Sequence, residues 1–535
     1  MLVRLSTSSL ALAVAMAAPG LALTPEELWS SWTTSYEAMG YTVTEGSREL
    51  AGDTLTLGDV SFRVEEAGTA EGLTVSLSQI VMQGAADGSV RTTFPETMPL
   101  KIDTVDEEGR PVVIEMTLAA PNLDLQSTGD AAQHTDTYSG PSITVTVDRV
   151  DLAEEPDLAD VATITVNEVS GQSVTSDGGR SISQTNRSGR IDYRIGVETA
   201  DGSLAANGSI EGSESSGEVA GAPEGSPGLQ EALDEALKAG AVIAGRFSLG
   251  AGTHQVEFAG TDSEGEPSSG NLALKIGPAE MTIRLAEEGI AYQGAATGID
   301  TRIEGGDMPF PVAYQLGEVT FDVQFPVTAS EAPQPFKIAY SLAGLAVDEA
   351  IWATFDPGEQ LPRDPASLDI DVTGQVRVTQ DLFDPALAQA AGDAAGEAAG
   401  GMDETDATGT EPSEGTADAA DDTADMPSPV EPVELTINQL ALAALGARIA
   451  AEGQLAVPES GDLSQPVGTI SAQMDGANGL IERLTAMGLL PPEQVQVVRM
   501  MLAMFTRPGV GPDNLVSEFE FREGGQIFAN GQQIR

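Results

Sequence analysis

The 535 residues contain two histidines, His134 and His254, and no cysteine. Without thiols there can be no disulfide framework, thiolate nucleophile, iron–sulfur cluster or cysteine zinc site. Each histidine sits in a run of polar alternation, and both are expected as solvated strand or loop residues. No Gly-x-Ser-x-Gly elbow occurs, and Ser213, Ser215 and Ser216 fall in a Gly-rich stretch that reads as loop. Zinc-protease, phosphate-loop and dinucleotide motifs are absent as well. What remains is carboxylate chemistry, because 83 residues are Asp or Glu. A glycosidase needs two carboxyls at a set separation, one with a raised pKa. Asp369 and Asp371 are instead expected on a wet strand face, and Glu107, Glu108, Glu287 and Glu288 at turns. Asp262-Ser263-Glu264-Gly265-Glu266 approaches a calcium loop but lacks its length and its terminal acid. No catalytic, cofactor-binding or metal residue is assigned, and the chain is read as a non-enzyme needing no cofactor.

The formal charge of −58 repels nucleic-acid phosphates and leaves no basic cluster for anionic headgroups. Nucleic acid is therefore excluded as a partner. The acidity itself is read as adaptation to a salty habitat rather than as a binding surface. Residues 1–22 read as a signal peptide: Arg4, the apolar run Leu10–Ala18, the helix breaker Pro19-Gly20, and cleavage after Ala22. That run is too short for a membrane anchor, and no later stretch is apolar for long enough to span. The expectation is a soluble periplasmic protein.

Any site must be positioned by sheet. After a helix over 24–40, opened by the capping box Thr24-Pro25-Glu26-Glu27 and docked through Leu28, Trp32, Tyr36 and Met39, the dominant period is two. Val319, Phe321, Val323 and Phe325 alternate with polar residues, as do Met281, Ile283 and Leu285, or Ile143, Val145 and Val147. One dry and one wet face per run indicate antiparallel sheet. Asp87-Gly88, Asp177-Gly178, Asp201-Gly202, Asn207-Gly208 and Glu288-Gly289 read as turns. Residues 200–228 read as a mobile loop, and 229–244 as an amphipathic helix carried by Leu229, Leu233, Leu237 and Val242.

The β-rich body thus spans 23–385. Residues 386–432, with no Lys or Arg, form an acidic Ala/Gly-rich insertion expected to be disordered. Over 433–535 the β pattern resumes. Leu435, Ile437, Leu440 and Leu442 fit a strand with a slip, and a helical hairpin and a closing β-hairpin turning at Gly524-Gly525 follow. The fold class is mainly β: a large antiparallel sheet, curved or sandwich-like, with a few covering helices and a C-terminal helical hairpin.

Leu23 through Trp29, Gly40 through Val43, Glu434 through Leu455, Met504-Phe505-Thr506 and the Gly531 hairpin together resemble the domain-of-unknown-function 2125 family of exported alphaproteobacterial proteins. The last hundred residues are also similar to AsmA-like and DUF945-like envelope proteins, which implies long sheets, some with lipid-facing grooves. These likenesses imply an exported β-rich protein and carry over no functional residue. The functional expectation is a non-catalytic cell-envelope protein, binding or scaffolding, that holds an apolar ligand or lipid on a curved sheet or meets an envelope protein partner. The alternative is a carboxylate-dependent hydrolase of an envelope polymer.

Overall fold

The computed structural model describes residues 23–535 apart from 39, 66–70, 106–108, 153–157, 200–201, 224, 227–231, 262–264, 307, 309, 385–386, 388–427 and 459–464. The leader 1–22, Glu107, Glu108, Asp262 to Glu264 and nearly all of the acidic tract therefore lie outside the described residues.

Alternating sequence builds one sheet, and every pairing in it is antiparallel. β1 (Thr42–Thr44) and β2 (Ser47–Ala51) lie end to end on β3 (Thr54–Glu65), which pairs with β4 (Gly72–Gly84). β5 (Val90–Thr93) and β6 (Thr97–Val105) share the far side of β4. β8 (Asp124–Gly129) pairs with β5 and β7 (Pro111–Ala119) with β6, and β9 (His134–Leu152) collects both before β10 (Leu158–Ser176). The ribbon then divides again. One track is β11 (Ser181–Ser188), β14 (Ser213–Ala220), β15 (Val242–Leu249) and β18 (Ala279–Ala286). The other is β12 (Ile191–Glu198), β13 (Gly202–Ile210), β16 (Gly252–Thr261) and β17 (Pro267–Ile276).

β19 (Gly289–Gly305) rejoins the tracks. A meander continues through β20 (Val312–Phe325), β21 (Gln334–Val347), β22 (Ala366–Val378), β23 (Val430–Ala444), β24 (Ala447–Ala456) and β25 (Val467–Asp475). It ends in β27 (Asn514–Arg522), with short β26 (Arg507–Pro508) beside it, then β28 (Gln526–Ala529) and β29 (Gln532–Gln533). Val378 stands opposite Val430, so the acidic tract joins two adjacent, paired strands.

A line of left-handed backbone runs lengthwise down the ribbon. Asp59, Glu168, Gly298 and Gly344 have φ of 50, 50, 59 and 76° inside β3, β10, β19 and β21. Where the ribbon is split, the gaps between paired tracks fall on the same line, as at 189–190, 211–212 and 277–278. Such a residue breaks strict alternation: Leu57 and Val60 lie three apart and both are buried. The molecule is one sheet creased into two panels rather than a sandwich.

Five helices are described: α1 (Pro25–Ala38), α2 (Leu233–Lys238), α3 (Glu349–Phe355), α4 (Ala477–Ala486) and α5 (Pro492–Phe505). The capping box of α1 is present, with Thr24 N–H donating to Glu27 Oε2 (3.0 Å) and Glu27 N–H to Thr24 Oγ1 (3.2 Å). α1 lies over the first strands and seals the main core of Leu28, Trp29, Leu55, Leu57, Ile80 and Met82. Trp29 is the buried anchor rather than Trp32; Trp32 sits half-buried, stacked on Phe94 (centroids 6.3 Å).

Three expectations fail here. Most of 200–228 is strand, β13 and β14, so Ser213, Ser215 and Ser216 are ladder residues. Small side chains are compatible with pairing on both edges, and tertiary pairing overrides weak β propensity. Asn207-Gly208 lies in the middle of β13 instead of at a turn. The helix expected over 229–244 spans Leu233–Lys238 alone, because Val242 already begins β15; Leu229 lies outside the described residues.

Candidate functional site

Residues directly opposite each other in an antiparallel ladder share a face. Following partners across the first panel gives one row: Leu55, Met82, Thr92, Leu125, Tyr138, Gly171, Asn186, Ser215, Phe247, Met281, Gly294, Phe321, Tyr340, Ile370, Leu440, Ala451. The row has three stretches. Under α1 it is sealed and, apart from the buried Thr92, apolar. Between β9 and β14 it is polar: Tyr138 OH donates to Asn186 Oδ1 (2.8 Å), and Asn186 Nδ2 donates to Ser215 Oγ (3.1 Å). From β15 to β24 it is apolar again.

In that third stretch the neighbouring rows carry no charge either. One reads Ile283, Tyr292, Val323, Ile338, Val372 and Ile437, the other Ala279, Ala296, Val319, Leu342, Leu368, Leu442 and Ile449. Phe247, Ile283, Tyr292, Ile338, Tyr340, Leu440, Leu442 and Ile449 are 36 to 48% exposed. A sheet face of this composition normally packs on a second layer. The opposite face holds the charges: Lys337 donates to Asp322 (2.7 Å), Ser341 to Asp369 (2.7 Å) and Asn438 to Asp371 (2.9 Å). Burial pushes the Asp322 carboxyl up, but hydrogen bonds from Lys337, Gln324 and Gln293 outweigh it and hold the group below its ordinary range.

Aromatic rings on the dry face lie flat. Tyr138, Tyr193, Phe258, Phe321 and Phe336 each stand directly opposite a glycine: Gly171, Gly208, Gly270, Gly294 and Gly374. A Cβ built on any of these glycines would come within 2.5 to 2.6 Å of the opposing ring. The ring therefore covers the bare backbone. Tyr292 stacks on Phe321 (4.9 Å), and its hydroxyl donates to Met281 Sδ (2.8 Å). Packed this way, the aromatics do not fill the space above the sheet. Gly208 is thus the seat of Tyr193, which is why Asn207-Gly208 is no turn. Sequence inspection cannot find these seats, since the register that pairs ring with glycine is tertiary.

The histidines differ from expectation. His134 is buried at 2% exposure, its Nε2 3.7 Å from Asp136 Oδ2. Asp136 also accepts from Ser127 Oγ (2.5 Å) and Trp32 Nε1 (3.2 Å). His254 is half-buried, with Nδ1 2.7 Å from Tyr193 OH. Both face inward because the rows on which they lie face inward. Asp369 and Asp371 lie on the wet face as expected, and Glu287 and Glu288 at the β18–β19 turn. Among the described residues Asp356 is the one fully buried carboxylate. Burial raises its pKa, yet the amides of Gln360 and Leu361, together with Arg363, hold it low. It ties a loop together. Among the described residues no three His, Asp or Glu side chains gather around a metal position, and no helix is long and apolar enough to cross a membrane.

No curated protein and no solved structure matches this chain. Residues 253–528 match the family described as "Uncharacterized protein conserved in bacteria (DUF2125)". The match begins in β16 and ends in β28, taking in most of the open apolar rows and the C-terminal helices, while the opening segment Leu23 to Val43 precedes it. Since the match covers just over half of the sequence, the chain belongs to the DUF2125 family.

Proposed function

We propose that this protein is an exported, non-catalytic binding protein of the cell envelope, and that it holds an apolar chain, such as a lipid acyl group, along the first panel of its sheet. The observation that carries the reading is the uncharged stretch from β15 to β24, with eight large apolar side chains 36 to 48% exposed. Burial of apolar surface is worth about 25 cal/mol per Å², so an acyl chain lying in these rows gains affinity without any headgroup contact. The signal-like leader supports export to the periplasm. No pair of buried, converging carboxyls among the described residues favours the hydrolase reading.

The test is titration of residues 23–535 with a fluorescent fatty-acid analogue, alongside native mass spectrometry of protein purified from the periplasm. Saturable binding that survives 0.5 M NaCl and falls at least tenfold in the double variant Ile338→Asp/Leu440→Asp is expected. Unchanged binding in that folded variant would place the ligand elsewhere. N-terminal sequencing of the exported protein should begin at Leu23.

A further inference from the structure

α5 presents a second apolar surface, separate from the sheet. Its sequence, Pro-Glu-Gln-Val-Gln-Val-Val-Arg-Met-Met-Leu-Ala-Met-Phe, ends in six consecutive apolar residues, which wrap all round the helix. Val495, Val498, Leu502 and Phe505 are half-buried, and Phe505 meets Phe519 (6.4 Å) where the apolar rows end. Ser517 Oγ and Asn530 Nδ2 both donate to the Phe505 carbonyl, which fastens the C-terminal end of the helix to the sheet. The outward side carries Val497, Met500, Met501 and Met504 at i, i+3, i+4 and i+7, 46 to 59% exposed. Beyond the helix, Val510 between two glycines is 99% exposed. A helix apolar on both sides normally has a partner on both sides.

Charge narrows the choice of partner. Around α5 three arginines, Arg483, Arg499 and Arg507, stand against four acids, Glu482, Glu493, Asp513 and Glu518, with Arg499 3.7 Å from Glu482 and Arg507 3.8 Å from Glu518, in a chain with 83 acids and 25 bases. The surface around α5 is thus close to charge balance, and the large acidic excess of the chain is not concentrated there. A second copy is disfavoured, because two bodies of −58 would have to meet. The outward side also offers only aliphatic and thioether groups, with no hydrogen-bonding side chain among the four. We infer that α5 is a membrane-docking element, inserting Met500, Met501, Met504 and Val497 into the interfacial layer of a lipid bilayer. Interfacial helices of this kind bury their apolar side at the headgroup–acyl boundary. Thioethers adapt to an irregular apolar surface.

Flotation of residues 23–535, which omits the apolar run at 10–18, with phosphatidylcholine vesicles tests this. Co-flotation at both 0.1 and 0.5 M NaCl is expected. The double variant Met500→Glu/Met504→Glu should lose it at least tenfold, whereas Met500→Leu/Met504→Leu should keep it. Unchanged fatty-acid binding by the Glu variant shows that it is folded and separates this test from that of the groove. Independently, Met504→Trp should be quenched by brominated acyl chains. No flotation of the parent, flotation of the Glu variant at parental level, or a Met-dependent dimer in sedimentation without flotation would each overturn the inference.

Discussion

Leu55 and Leu440 lie on the same row of the same sheet, with opposite fates. Leu55 is fully buried under α1, whereas Leu440, fourteen strands along the row, is 43% exposed. The strand chemistry is alike in both regions, alternating apolar and polar residues with an uncharged inward face. The difference is cover. A helix of 14 residues with Leu28 and Trp29 on one side seals β3 to β5, while among the described residues no helix is laid along the stretch from β15 to β24. Stability is therefore concentrated at one end of the ribbon, and apolar surface is left available at the other.

The largest contrast should come from charge insertion. Met82→Asp buries a carboxylate in the sealed core and is expected to abolish folding of that end, a cost above about 4 kcal/mol. Met281→Asp, on the same row but half-buried, should leave a folded protein with weakened fatty-acid binding. Far-UV and near-UV circular dichroism with ligand titration separates the two. Equal damage would mean that the open stretch is covered in solution.

Truncation gives the next effect. Trp29→Ala and Leu55→Ala should each cost about 2–5 kcal/mol, and Leu440→Ala about 1 kcal/mol or less, since less than full burial is lost. Urea midpoints measure this. An intermediate loss, about 1–3 kcal/mol, is expected for Gly294→Ala, because the new Cβ would stand 2.5 Å from the Phe321 ring and lift it off its seat. Gly196→Ala, on β12 with open space around its Cβ position, is the control.

Removing residues 388–427 should move the melting temperature by only a few degrees, since the strands it joins are already paired and loop closure depends weakly on length. A loss beyond about 10 °C, far more than such a change in closure entropy produces, would show that the tract contributes to the folded body.

The smallest effect belongs to the wet face. Hydrogen bonding to Asp322 raises the Lys337 pKa, and Asp322 is held low. The Asp322 contribution is present above its unfolded pKa of about 3.9 and disappears as pH falls through the lower folded value. The Lys337 contribution is present below about 10.4 and disappears as pH rises through the higher folded value. Lys337→Met should cost up to about 1 kcal/mol at pH 7, a difference that shrinks below about pH 4. Denaturant melts at pH 3 and pH 7 check the sign.

Much of this was legible residue by residue. The capping box at Thr24, the slip between Ile437 and Leu440, the turn before Gly289 and the helical pair before Asn514 each depend on contacts within a few residues. What escaped was set by distant partners. β13 and β14 look like loop until each is seen paired on both edges. Gly208 looks like a turn until the Tyr193 ring is found opposite it. His134 looks solvated until its row is traced beneath the dry face.

By itself the sequence determined the local geometry: period-two alternation, turns where glycine takes positive φ, and helix starts where Thr24 and Pro492 permit them. These follow from backbone sterics and short-range hydrogen bonds, which neighbouring residues control. Only the tertiary structure decided the strand order, the crease line and which apolar residues are covered. Burial is a property of what lies across the face, and the residue across from Leu55 or from Leu440 is chosen by register and by where α1 comes to rest, neither of which is encoded near those leucines.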